Sequence, residues 1–118
     1  MKYASLTKEL EYNDKKPAVK VLMDTDSSQE IRIAMKEGQQ MKEHSTPYPI
    51  VVEIFEGHIT FGAKGEVHEL RKGDVVYLEG AIPHDLQAET DSIIRLSLSK
   101  SDSAERVKGV AESSSEQN

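Results

Sequence analysis

Residues 50–63 read Ile-Val-Val-Glu-Ile-Phe-Glu-Gly-His-Ile-Thr-Phe-Gly-Ala, and this stretch decides the fold class. Its first half is apolar on nearly both faces, as expected of a central strand packed on two sides. Gly57 punctuates it. From His58 onward the apolar residues fall at every second position, Ile59 and Phe61, which is strand spacing rather than the 3.6-residue helical period. Lys64-Gly65 marks a turn, so 58–63 and 66–70 read as a hairpin. The same period continues on both sides. Upstream, residues 18–23 are short and β-branched, and Ile31, Ile33 and Met35 alternate with Arg32, Ala34 and Lys36. Downstream, Arg71-Lys72-Gly73-Asp74 is a second turn that the Asp74 carboxylate caps. Residues 75–78 and 84–88 follow as strands, and 92–99 set Ile94, Leu96 and Leu98 against Arg95 and Ser97. No stretch of the body carries a convincing amphipathic helix; residues 6–12 come nearest, and Asn13-Asp14 would stop them. Many short strands with glycine-marked turns predict an all-β sandwich or barrel.

The 118 residues make about one domain. Fifteen Lys and Arg against 21 Asp and Glu leave a formal charge of −6. That sign argues against a nucleic-acid binder, which needs a basic footprint, and against docking on an anionic membrane surface. The absence of cysteine excludes disulfide frameworks and thiol catalysis. No apolar run approaches the ~18–20 residues of a membrane span, and no signal-peptide core follows Met1, so a cytoplasmic location is expected. Residues 101–118 are polar and serine-rich, with two valines and two alanines as their apolar content. They read as a frayed or weakly helical tail that nothing pins, which leaves residues 1–100 as the folded unit.

Two segments are more specific than a generic barrel. One runs from Gly38 to Gly57 through His44-Ser45-Thr46 and Ile50; the other runs from Gly73-Asp74 to Pro83-His84. Together they resemble the two signature motifs of the cupin superfamily over about residues 30–100. The resemblance implies a jelly-roll barrel with a pocket inside it. In that family a His-x-His pair, a Glu and a His of the second motif hold one divalent metal. Here the second His position is Thr46 and the Glu position is Ile50. In the second motif the Pro position is Glu79, the Gly position Ala81 and the Asn position Ala88. His44 and His84 alone remain of the four implied ligands.

Alternation along a strand puts Lys42, His44 and Thr46 on one face. The resemblance makes His44, Thr46, Ile50 and His84 the expected pocket residues. Two imidazoles, a hydroxyl and a hydrocarbon make a poor home for a catalytic ion, since such sites generally use three protein ligands and a charge-balancing donor. The favoured reading is a small cupin that binds a small molecule in its barrel without demonstrable catalysis. The sequence names no cofactor. The alternative is a metal-dependent dioxygenase or isomerase type that uses His44 and His84 with a carboxylate such as Glu79. His58 and His68 are expected to face solvent, Glu53 to point outward or pair with a base, and Tyr48 to sit on a rigid loop at the rim. So lean a chain with strands apolar on both faces also suggests a homodimer.

Overall fold

The structure, a computed structural model, describes residues 1–99 and 104–115. Among these the strands are β1 (Ala18–Asp24), β2 (Ser28–Met35), β3 (Gln40–His44), β4 (Ile50–Glu56), β5 (His58–Ala63), β6 (Glu66–Arg71), β7 (Val75–Leu78), β8 (His84–Ala88) and β9 (Ser92–Ser99). One helix, α1, spans Ala104–Ser115. The strands form two antiparallel sheets, ordered β1-β2-β9-β4-β7 and β3-β8-β5-β6. The expected strands and the β5–β6 hairpin are present, and the strand that carries His44 ends at that residue. Asp74 closes the β6–β7 turn, accepting the Arg71 N–H at 2.7 Å on its carboxylate.

Every second residue of the central strands turns into the space between the sheets. Ile31, Ile33, Met35, Ile54, Ile59, Phe61 and Ile94 are almost fully buried there. The outer face of β4 carries Val51, Glu53 and Phe55, all half-buried, so it is apolar but for one carboxylate. Glu53 accepts from Arg95 Nε at 2.8 Å, and Arg95 Nη1 reaches Glu30, also at 2.8 Å. The outward reading of Glu53 thus holds, with a basic partner on β9.

Strand β2 is covered on both sides, although its pattern predicts one apolar face. Arg32 points outward yet is only 3% exposed, because the N-terminal segment crosses over it. Its guanidinium donates to the carbonyls of Leu6 at 3.5 Å, Lys8 at 3.2 Å and Glu9 at 3.4 Å. Residues 6–12 are therefore an irregular strap, not a helix. Replacing Arg32 by Ala should cost about 1.5–3 kcal/mol, the usual worth of hydrogen bonds from a charged group. It should also release the strap. Urea denaturation reads the first effect and limited proteolysis within residues 1–12 the second; unchanged protease resistance would show that something else holds the segment.

Residues 104–115 of the expected frayed or weakly helical tail form α1; residues 100–103 and 116–118 lie outside the described residues. Helix α1 lies against β3 and β1, which are edge strands of the two different sheets. Val107, Ala111 and Ser114, spaced four and three apart, form one buried face. Ser114 Oγ accepts the backbone N–H of Lys42 at 2.7 Å. A valine, an alanine and a serine give almost no hydrophobic signal in sequence. Their burial comes from the seam that the sheets leave open for them.

Candidate functional site

Strands β3 and β8 run antiparallel with His44 and His84 as direct cross-strand partners. Pairing across a sheet brings opposed side chains to contact, and the two imidazole centroids lie 4.3 Å apart with their planes inclined by 60°. His84 is 3% exposed. Its other flank faces Phe61 of β5, at 5.8 Å between centroids and 14° between planes. Each ring is also held by its own chain. His44 Nδ1 lies 2.7 Å from the Lys42 carbonyl, and His84 Nδ1 lies 3.0 Å from the Ile82 carbonyl. A carbonyl only accepts, so both Nδ1 atoms carry a proton.

The loop that delivers His84 rests on two backbone contacts. Ala81 adopts φ +67°, a left-handed conformation, and its N–H donates to the Thr46 carbonyl at 2.6 Å. At Gly80 a Cβ would run into the Pro47 carbonyl group. The position where the resembled motif carries glycine thus keeps a glycine-like backbone here while holding an alanine. The glycine one place earlier is demanded by close packing.

The two imidazoles form one wall of a cavity of about 20 Å³ inside the barrel. The other walls are apolar: Ile33, Met41, Ile50, Val52, Leu86, Ile94, Leu96 and, from α1, Val107. A volume of ~10–15 Å³ accommodates about one water, whereas pockets for drug-sized molecules run to ~300–1,000 Å³. With α1 in place the chamber is therefore water-sized.

Of the expected pocket residues, His44, Ile50 and His84 line this chamber. Thr46 does not, although it is 3% exposed. Its carbonyl accepts from Ala81, and its hydroxyl oxygen accepts the Tyr48 N–H at 3.4 Å. Lys42 also misses the His44 face. The β3–β8 register shifts between Met41 and His44; such a bulge interrupts strict alternation, so Met41 takes the inward position instead. Met41 and Val107 are the lining residues that alternation misses, the first because of the bulge and the second because nothing in the sequence signals that α1 docks. His58 is half-buried and pairs with Glu69 at 2.5 Å, while His68 is exposed beside Glu66. Glu79 does not line the cavity. It pairs with Lys64 at 3.4 Å on the surface. Its own backbone N–H, then Lys64, hold its carboxyl below the ordinary glutamate range.

Among the described residues no group of three His, Cys, Asp or Glu side chains is placed to hold a metal ion. Where the cupin motif implies a carboxylate, Ile50 offers a hydrocarbon wall. A two-imidazole donor set of this kind does not fit a resident divalent metal.

Residues 31–99 match the profile of a family described as a cupin domain. The fold is similar to an RmlC-like cupin protein from Desulfovibrio desulfuricans, with TM-score 0.76 and 20% identity, covering 84% of this chain and 96% of that one. It is similar to the TT1209 protein from Thermus thermophilus, with TM-score 0.77 and 19% identity over 84% of this chain and 98% of that one. It is also similar to KdgF from a Halomonas species, with TM-score 0.71 and 19% identity over 85% and 94% of the two chains. At such identities the likeness concerns the fold. No curated protein matches the sequence. Among the described residues no helix is long and apolar enough to cross a membrane.

Proposed function

This chain belongs to the cupin domain family, and from that premise we propose that it binds a small molecule with an apolar body and one hydrogen-bonding or acidic head inside its barrel. One observation carries the reading: an apolar chamber whose polar side chains are the paired imidazoles of His44 and His84. Imidazole donates and accepts near neutral pH, so the pair suits a carboxylate or hydroxyl head. Apolar walls suit a short hydrocarbon or ring behind it. Binding in place of catalysis is supported by the donor set, which holds no third His, carboxylate or thiol among the described residues. The reading requires the chamber to enlarge beyond 20 Å³, since the present volume is water-sized.

A series of straight-chain carboxylates from propionate to decanoate tests this directly. Ligands that bind the native state raise its melting temperature by mass action. The rise is expected to grow with chain length and to disappear in the His44→Ala/His84→Ala double variant, whose own fold is checked by circular dichroism. Equal shifts in wild type and double variant would show that the imidazoles play no part. One tightly held metal per chain, lost in the same variant, would favour the metal-dependent alternative instead.

We further propose that the protein acts as a homodimer. Val75 and Tyr77 lie on β7, an edge strand, and are 62% and 61% exposed. Apolar side chains beside a free edge favour covering by a second copy. Sedimentation that gives only a 13.2 kDa species at micromolar concentration would remove this support.

A further inference from the structure

We propose that helix α1 is a displaceable plug that gates the barrel, a regulatory role that rests on the ligand-binding reading above. The helix bridges the seam between β3 and β1 and supplies Val107 to the wall of the chamber beside His44 and His84. No other segment of the described chain after β9 contributes to that wall. The void beneath it holds about 20 Å³. A molecule larger than water therefore competes with Val107 for the same space.

The way α1 is held explains why it would open alone. Its buried face consists of Val107, Ala111 and Ser114, with Val110 half-buried against the core beside them. Its polar ties to the barrel include, among the described residues, the Ser114–Lys42 hydrogen bond at 2.7 Å and an exposed ion pair between Lys16 and Glu112 at 3.3 Å. Exposed pairs of this kind contribute little. The helix has 12 residues, a length that is marginal in water without tertiary support. Gly109 in its interior and the serines 113–115 weaken it further. The barrel, by contrast, is a doubly layered sheet whose central strands are almost fully buried. Elements with few buried apolar contacts open sub-globally, well before the core unfolds. Docked helix and bound ligand exclude each other, so each weakens the other by the same factor.

The chain contains no cysteine, which makes a lock straightforward to build. With the Ser114 hydroxyl 2.7 Å from the Lys42 backbone nitrogen, the two Cα atoms cannot lie beyond the ~6.8 Å upper limit that a disulfide spans. Full-length protein carrying Lys42→Cys and Ser114→Cys is compared oxidised and reduced. The probe is 8-anilinonaphthalene-1-sulfonate, an apolar ring system with an anionic head. Oxidation should weaken probe binding at least tenfold, and dithiothreitol should restore it. A second full-length variant, Val107→Asp, should bind the probe at least tenfold more tightly than wild type while keeping a cooperative melt. Hydrogen exchange of the wild type supplies a readout independent of any ligand. The amides of α1 and of Lys42 should exchange together and far faster than those of Ile54 and Ile94. Equal probe affinity in the two redox states, no gain in Val107→Asp, or α1 amides that exchange only with the barrel core would each overturn the plug. Failure of the carboxylate series with these results intact would count against the ligand class alone.

Discussion

Gly57→Ala is expected to lower stability by about 3–5 kcal/mol, among the largest single-residue effects in the molecule. Gly57 joins β4 of one sheet to β5 of the other at φ +100°. An L side chain in a left-handed conformation already costs about 1–2 kcal/mol. The added Cβ would also overlap the Ser92 hydroxyl and lie 2.6 Å from the Asp91 carbonyl oxygen and 2.7 Å from Ser92 Cα. Two of those three atoms are backbone and cannot swing aside. Ser92 is fully buried, and its hydroxyl accepts the His58 N–H at 3.1 Å and donates to the Thr90 carbonyl at 2.8 Å. Relief by movement of Ser92 would therefore break the corner that ties the start of β5 to the start of β9. For a domain near 100 residues the loss corresponds to a melting temperature roughly 15–30 °C lower. Calorimetry checks it. The Gly57→Ala/Ser92→Ala double variant should recover only part of the loss, because the backbone contacts persist. A single variant within about 1 °C of wild type would mean that the corner relaxes in a way this geometry does not allow.

Phe61→Ala is the second large effect, at about 3–5 kcal/mol, the usual cost of deleting a buried aromatic ring. Phe61 is 1% exposed and is the largest of the fully buried side chains. Its consequence differs from that of Gly57→Ala because it reaches the site. The ring lies almost parallel to His84 and closes its outer flank. Removing it leaves the Nδ1 tie to the Ile82 carbonyl in place but takes away the surface that sets the ring plane. His84 should then populate more than one ring orientation. Imidazole resonances in the NMR spectrum should broaden or shift, and carboxylate affinity should fall together with stability. Phe61→Leu, which refills most of the volume, should recover most of the stability and little of the ring order. If Phe61→Ala leaves the His84 resonances unchanged, the imidazole is positioned by its backbone hydrogen bond alone.

The Gly57 corner and the Phe61 face divide the legible from the illegible. Period-two spacing at Ile59 and Phe61, and glycine at 57 and 73, mark the strands and turns because they are local demands of the backbone. The pairing of His44 with His84 is reachable through the family resemblance, which places both residues at one pocket. Alternation misplaces Thr46 because it assumes an uninterrupted strand, and β3 shifts register between Met41 and His44 before ending at His44. The Glu79 carboxylate, a metal donor in the alternative reading, lies instead on the surface with Lys64.

By itself the sequence determined the class of fold and the positions of most strands, because those rest on residue identity and on spacing within a few positions; that two imidazoles remain of a metal-binding motif is what the cupin resemblance implies. Tertiary structure alone decided which residues close the chamber and which are covered. Met41 enters through a bulge, Arg32 is buried beneath the N-terminal strap, and Val107 reaches the cavity from a segment with hardly any apolar signal. The physical reason is that burial belongs to the surface a segment finds, and a seam between two sheets exists only once both sheets have formed.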